Sequence, residues 1–185
     1  GVAGVLADHA PSAQIDSVQV LGRNKRGQTS VVLCALEWAL GEDAGRRRYD
    51  VVNCSFGTRE ERYILGYKRL VDRAFTCNVL LVAASNNLDF RTREYPGSFP
   101  SVISTDFAPE LEPLQLVRRG GHLVEFAARG ASVRVPWRNG EYRTVTGSSF
   151  AAPQVAALAA RIRERRPDWN ACQVKSALYA LAGEG

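Results

Sequence analysis

An uninterrupted apolar run constrains the fold of this chain more than any other feature. Residues 78–85 read NVLLVAAS, a run of strand length with apolar side chains at successive positions and polar residues at both ends. Side chains alternate between the two faces of a strand, so this strand must be covered on both faces. Such strands are typical of parallel sheets with helices on either side. The run therefore predicts an α/β fold.

Strand and helix patterns alternate on both sides of this run. Apolar residues recur at helical spacing in two early and two late segments, and short apolar or alternating runs separate them. The predicted helices are 29–40, 60–76, 149–165 and 171–181, and the predicted strands are 15–21, 49–57, 78–85, 101–105, 122–128, 132–136 and 141–147. This alternation favours a three-layer arrangement around a mostly parallel sheet with right-handed crossovers. No repeat divides the chain, so we expect one domain over residues 1–185.

Composition and charge argue against several function classes. With 185 residues and 45% hydrophobic content, the chain is long enough for one substantial core. No stretch approaches the roughly 18 apolar residues of a membrane span, and residues 1–8 lack a basic leader. The net charge is a modest +5, and arginines cluster at 46–48, 118–119 and 161–166. We interpret these clusters as solvated surface and expect no nucleic-acid partner, although a nucleic-acid or scaffold protein built on them is the competing class.

The cysteines and histidines form no metal-binding pattern. The four cysteines lack C-x-x-C spacing, and the two histidines add no ligand pair, so we expect no metal and no cofactor. These residues are Cys34, Cys54, Cys77, Cys172, His9 and His122. Cysteines in apolar patterns suit free thiols in a reducing compartment, which favours a cytoplasmic location. Their even number leaves disulfides open.

Three polar stretches should meet at one edge of the predicted sheet. NCSFG (53–57) and AASNN (83–87) each follow a strand, and TGSS (146–149) begins a long helix. Ligands of open parallel sheets bind beyond the carboxyl ends of the strands. A serine at a helix start can act as nucleophile, an asparagine amide can stabilise an oxyanion, and extended backbone can pair with a peptide. The alternative interpretation is a helix-capping serine and an asparagine in an ordinary turn.

In this order, and along nearly the whole chain, the sequence resembles the subtilisin-like serine peptidases (subtilases). The nucleophile motif Gly-Thr-Ser-x-Ala-x-Pro reads GSSFAAP over residues 147–153. The other segments that carry the resemblance are GVAGVLA, APSAQIDSVQVLG, ALEWAL, VVNCSFG, VLLVAASNN, YPGSFPSVIST and RPDW. The resemblance implies a subtilisin-like fold and peptide-bond hydrolysis through an acyl-enzyme.

The resemblance also implies a role for each matching position. Ser149 matches the nucleophile, and its backbone N–H matches one oxyanion donor. Asn87 matches the other donor, and Asn86 is a rival if the register shifts by one residue. The implied substrate-binding residues, which form the two pocket walls and the approach to the nucleophile, are Ser55, Phe56, Gly57, Ala84, Ser85, Asn86, Gly147 and Ser148.

The family's catalytic histidine and aspartate have no match in this sequence. The histidine would fall three residues before Gly1, and the aspartate on a strand before that. His9 and His122 match family positions at the end of the sheet opposite the nucleophile, so we expect neither to serve as the base. A fold that lacks the aspartate strand should show a gap in its sheet, with unpaired backbone and apolar surface.

Three interpretations of the function follow. The chain is part of a peptidase whose missing N-terminal segment supplies the histidine and aspartate, or one half of a split enzyme that works with a partner chain. The third interpretation is an inactive pseudopeptidase that binds peptides or proteins in the substrate groove. In each case the groove takes a peptide or protein. Alone, the chain should be nearly inactive, because loss of the histidine lowers the turnover of a subtilisin by about 2 × 10⁶-fold.

Overall fold

The computed structural model describes residues 1–22, 24, 26–41, 49–87, 92–120 and 123–184. The helices are α1 (Val2–His9), α2 (Thr29–Leu40), α3 (Ile64–Thr76), α4 (Ser148–Arg165) and α5 (Ala171–Leu181). The strands are β1 (Val51–Cys54), β2 (Leu80–Ala84), β3 (Ile103–Ala108), β4 (Leu116–Arg118), β5 (Phe126–Arg129), β6 (Val133–Pro136), β7 (Tyr142–Val145) and β8 (Gly183–Glu184). None of these described helices has both the length and the apolar character needed to cross a membrane.

Six strands form one mostly parallel sheet, in the order β1-β2-β3-β5-β4-β8. The pairs β1–β2, β2–β3 and β3–β5 are parallel, with Val51 opposite Leu80 and Thr105 opposite Phe126. β4 runs antiparallel to β5, and β8 runs parallel to β4. β6 and β7, at two of the predicted strands, form a separate antiparallel hairpin. The parallel register brings the carboxyl ends of β1 and β2 to the same edge of the sheet.

Side chains from the two faces of β2 enter two separate cores. Leu80, Val82 and Ala84 pack in the core that α4 and α5 cover, whereas Leu81 and Ala83 pack in the core that α2 and α3 cover. All five residues of the strand are buried, and burial of each leucine or valine contributes about 1.5–3 kcal/mol. The sheet is therefore covered on both faces, which confirms the three-layer α/β fold predicted from the apolar run.

The predicted strand at 15–21 is wrong. In the part of the chain that the structure describes, these residues pair with no strand. They line a cleft of about 1340 Å³ together with β1 and with residues of α1, α2 and α4. Because a strand needs a neighbour to form a ladder, a segment that borders an open cleft forms none. The cleft borders β1, which is the last strand on this side of the sheet.

The interpretation of the late arginine cluster as solvated surface is wrong for Arg163. Its side chain is buried, and its guanidinium donates to Asn78 Oδ1 over 2.7 Å and to the Asn78 carbonyl over 3.0 Å. It also donates to the carbonyl of Trp169. The interior tolerates this charge because carbonyl and amide oxygens surround it. Arg163 thus joins α4 to the turn after α3, whereas residues 46–48 lie outside the described residues.

Candidate active site

Hydrogen bonds join the three predicted stretches at one edge of the sheet. Ser149 Oγ donates to the carbonyl of Ser55, which follows β1, over 3.3 Å. The adjacent Ser148 Oγ donates to the carbonyl of Ser85, which follows β2, over 2.6 Å. The Ser148 backbone N–H donates to Asn87 Oδ1 over 2.8 Å. The stretches expected to meet are therefore in direct contact, and Ser149 and Asn87 lie beside the same helix start.

Pro153 explains how Ser149 is held. A proline inside a helix offers no N–H to the carbonyl four residues earlier, and in α4 that carbonyl belongs to Ser149. Ser55 Oγ donates to it instead over 3.0 Å, and itself accepts from Asn53 Nδ2 over 2.9 Å. Ser55 and Ser149 thus form a reciprocal pair, in which each hydroxyl donates to the other's carbonyl. The proline of the motif makes this link between α4 and β1 possible.

Ser149 is not the N-cap of α4. That position belongs to Gly147, whose φ of 151° lies in a region that favours glycine. Asn87 Oδ1, rather than a side chain within the helix, accepts the N–H of Ser148. The side chain of Ser149 is half-buried, and its own backbone N–H, in the first helical turn, has no acceptor within the helix. The interpretation of Ser149 as a helix cap is therefore wrong.

The two asparagines differ in the direction of their amides. The amide nitrogen of asparagine donates and does not accept, so the atom of Asn87 that accepts the Ser148 N–H is Oδ1, and its Nδ2 stays available as a donor. Asn87 is exposed. Asn86 is buried, and its Nδ2 donates to the carbonyl of Thr92 over 3.1 Å. This geometry favours Asn87 over Asn86 as the donor to a reacting oxygen.

The two predicted pocket walls lie on either side of this helix start. One wall, Ser55–Phe56–Gly57, continues from β1 and is followed by Thr58, which forms two backbone hydrogen bonds of 3.0 and 2.9 Å with Tyr95. The other wall, Ala84–Ser85–Asn86, lines a small cavity whose remaining wall includes Glu94. The substrate-binding role of these residues remains a prediction.

His9 lies too far from Ser149 to remove its proton. It ends α1, and its pKa is lowered by burial and, more weakly, by the positive charges of Arg129 and Arg161. Arg161 is twelve residues beyond Ser149 in α4, which corresponds to about 18 Å along the helix axis. His122 lies outside the described residues. Within the described ranges, no group of three or more histidine, cysteine or acidic side chains is arranged to hold a metal ion.

Asp106 is a buried carboxyl group that the sequence analysis missed. It lies on β3, is 4% exposed, and accepts the Ser85 hydroxyl over 3.3 Å. Burial raises the pKa of this carboxyl, while the Phe107 N–H, Arg119 and the Ser85 hydroxyl act in the opposite direction. The sequence does indicate an unusual carboxyl here, because Asp106 is a charged residue inside the otherwise apolar and hydroxyl-bearing run SVISTDFA.

Known proteins match both the sequence and the structure of this chain. The model of the subtilase family (Peptidase_S8) matches residues 2–184. The minor extracellular protease Epr of Bacillus subtilis is 34% identical over 85% of this chain and 24% of its own length. Subtilisin BL of Lederbergia lenta is 30% identical over 98% of this chain and 64% of its own length. The chain therefore spans less than two thirds of these relatives.

A solved structure described as a cold-adapted subtilisin-like serine proteinase has the same fold. It superposes with a TM-score of 0.79 at 23% sequence identity, over 95% of this chain and 64% of the other. At that identity the superposition shows the shared architecture only. Together with the family match along nearly the entire sequence, the site geometry leads to one conclusion: the chain belongs to the subtilase family of serine peptidases.

Proposed function

We propose that this chain is the part of a serine endopeptidase that carries the nucleophile and the oxyanion donors. The observation that carries the proposal is the contact between the Asn87 side chain and the backbone of Ser148, directly before Ser149. This contact places an amide group and a hydroxyl at one helix start, where the helix dipole favours negative charge. A peptide carbonyl bound at this point would meet both groups.

The reaction is acyl transfer in two steps. Ser149 Oγ bonds to the carbonyl carbon while a histidine takes the hydroxyl proton, and the Ser149 N–H and Asn87 Nδ2 donate to the oxyanion. The C–N bond then breaks as the histidine returns the proton to the leaving amine. Water repeats the sequence on the ester and releases the acid. Ser149 Oγ is held near this position by its bond to the Ser55 carbonyl.

The histidine comes from a segment outside this chain. The first residue, Gly1, packs beside Trp137 and Phe150, so the start of α1 lies close to Ser149, whereas its last residue points toward the far end of α4. A histidine three residues before Gly1 would lie about 4.5 Å further along the axis of α1. This direction leads to the edge of the sheet that holds Ser149.

The aspartate comes from a strand that enters the cleft beside β1. The cleft is bounded by β1 on one side and by the unpaired residues 15–21 on the other. Among the described residues no strand pairs with either of these edges on the side of the cleft, which favours insertion of an extended segment between them. The N-terminal part of the same protein and a separate partner chain are the two possible sources of this segment.

Reaction with a fluorophosphonate probe tests the proposal, because such probes form a stable bond only with an activated serine. We expect the probe to label Ser149 when a segment with the histidine and aspartate is joined or added to the chain. Ser149→Ala should abolish the labelling, and Ser30→Ala, which alters an exposed serine on α2, should not. Absence of labelling with the completed site would contradict the proposal. Peptide binding without labelling would instead support the pseudopeptidase, which is the alternative function.

A further inference from the structure

A carboxylate lies between the two predicted walls of the substrate pocket. Glu94 lines the small cavity beside Ala84, Ser85 and Asn86 on one wall. On the other wall, a Cβ added to Gly57 would lie 2.8 Å from Glu94 Oε2. Glu94 thus borders the same cavity as one wall and closely faces the backbone of the other at Gly57, where glycine leaves room because it has no side chain.

The backbone around Glu94 is fixed. Its N–H donates to Ser98 Oγ over 3.0 Å, and its carbonyl accepts the Ser98 N–H over 2.8 Å. The next residue, Tyr95, exchanges two backbone hydrogen bonds with Thr58, which directly follows Gly57. These bonds fix the backbone of Glu94 opposite Gly57, and the bond from Arg59 to Oε1 holds the carboxylate.

The charge of Glu94 is only partly compensated within the chain. Glu94 Oε1 accepts from Arg59 Nε over 3.1 Å, and in the described ranges no residue donates to Oε2. The side chain of Glu94 is 19% exposed, whereas that of Arg59 is 45% exposed. Ion pairs with such an exposed partner are weak, about 0–1 kcal/mol, so a substrate cation can compete with Arg59. The other acidic group, Asp106, already accepts from the Ser85 hydroxyl and the Phe107 N–H.

The cavity beside Glu94 suits a small cationic group. Its volume of about 20 Å³ is enough for one water-sized polar group, such as an ammonium or one amino end of a guanidinium. An apolar ring at this position would exclude water from Oε2 and leave that oxygen of a largely buried carboxylate without a donor, which is costly. A basic side chain would replace water at Oε2 with a charge-assisted hydrogen bond.

From this geometry we propose that Glu94 sets the substrate specificity of the peptidase, and that it selects a lysine or arginine at P1, the residue before the scissile bond. The inference rests on the proposed function and names its substrate class. The aliphatic stem of the substrate side chain passes between the two walls, and its cationic head binds Oε2 of Glu94.

The test measures kcat/KM of the completed enzyme on peptides that differ only at P1, which is lysine, arginine, glutamine or phenylalanine. We expect the lysine and arginine peptides to be preferred. Glu94→Gln should lower kcat/KM for both by about tenfold or more, which is the factor that loss of a charged hydrogen bond implies, and should leave the phenylalanine peptide unchanged or better. Arg59→Ala should strengthen the preference, because it frees Oε1.

Glu60→Gln is the matched control. It removes the same charge from a nearby exposed glutamate that pairs with Arg62, and it should leave the P1 preference unaltered. A completed enzyme that prefers phenylalanine, or one whose preference is the same in Glu94→Gln, would overturn this inference while the proposed function stands. An enzyme that cleaves no peptide and does not react with the fluorophosphonate would overturn both.

Discussion

Asn87 has two separate tasks in this account, and two substitutions distinguish them. Its Oδ1 caps α4 by accepting the N–H of Ser148, and its Nδ2 is the proposed oxyanion donor. Asn87→Ala removes both groups. Asn87→Asp keeps an acceptor for the Ser148 N–H and removes only the amide donor. The two variants should therefore differ in stability and agree in activity.

The magnitudes follow from the geometry of the cap. The residue that Asn87 caps, Ser148, is fully buried, so the alanine variant leaves a buried N–H without an acceptor. Loss of an N-cap acceptor costs about 1 kcal/mol, and an unsatisfied buried donor about 1–3 kcal/mol. We expect Asn87→Ala to lower the free energy of unfolding by about 1–2 kcal/mol. Asn87→Asp should stay within about 0.5 kcal/mol of the parent, because a carboxylate at a helix N-terminus is favourable.

Urea unfolding followed by circular dichroism measures this difference. With a slope of about 2 kcal/mol per molar urea, the midpoint of Asn87→Ala should shift by about 0.5–1 M and that of Asn87→Asp by much less. In the completed enzyme, both variants should lose about 10²–10³-fold in kcat, as expected for one oxyanion donor. Equal midpoints for the two variants would refute the capping argument. Full activity in Asn87→Asp would refute the oxyanion assignment.

Three further predictions concern groups around the site. Gly147→Ala should lower the free energy of unfolding by about 1–3 kcal/mol in the same urea assay, because φ at Gly147 is 151°; an unchanged midpoint would contradict the strained geometry. A thiol reagent should modify the exposed Cys34 and Cys172 in the native protein but Cys54 only after unfolding, since Cys54 is buried and its pKa is raised to about 12; rapid native modification of Cys54, read by mass spectrometry, would show the core to be open. Burial raises the pKa of Asp106, so the native state retains a proton that the unfolded chain releases between the two pKa values. The protonated Asp106 carboxyl thus contributes to the stability of the native state. This contribution is complete below the ordinary pKa of about 4 and is lost as the pH rises through the raised pKa of Asp106. The stability of Asp106→Asn relative to the parent should therefore increase with pH across this window, and a pH-independent difference would contradict the shift.

The sheet and most helices could be predicted because their patterns are local. Residues 171–181 show helical periodicity and form α5 with the predicted bounds, and a run of five buried residues forms β2. The short strand β4 was missed, since three residues carry too little periodicity to be recognised. The strand predicted at 15–21 failed for a different reason. Its sequence alternates correctly, but a ladder depends on a neighbouring strand, which the pattern of one segment does not reveal.

In the candidate site, too, the features that depend on local sequence could be predicted, whereas those that depend on contacts between distant segments could not. The positions of Ser149 and Asn87 could be predicted from motif order, and the structure brings the residues around them into contact. The bond between Ser55 Oγ and the Ser149 carbonyl was not predicted, although Pro153 signals that this carbonyl lacks its helical donor. The burial of Asp106 and Arg163 depends on side chains from distant segments. Charged residues are usually exposed, so sequence alone favoured the wrong environment for Arg163.

A crystal structure of the completed protein with a peptide boronate bound tests the central claim most directly, because the boronate mimics the tetrahedral intermediate. The account predicts a bond from Ser149 Oγ to boron, with one boronate oxygen about 2.7–3.1 Å from both Asn87 Nδ2 and the Ser149 backbone nitrogen. A boronate bound to another residue, or an oxygen that Asn87 does not contact, would contradict it.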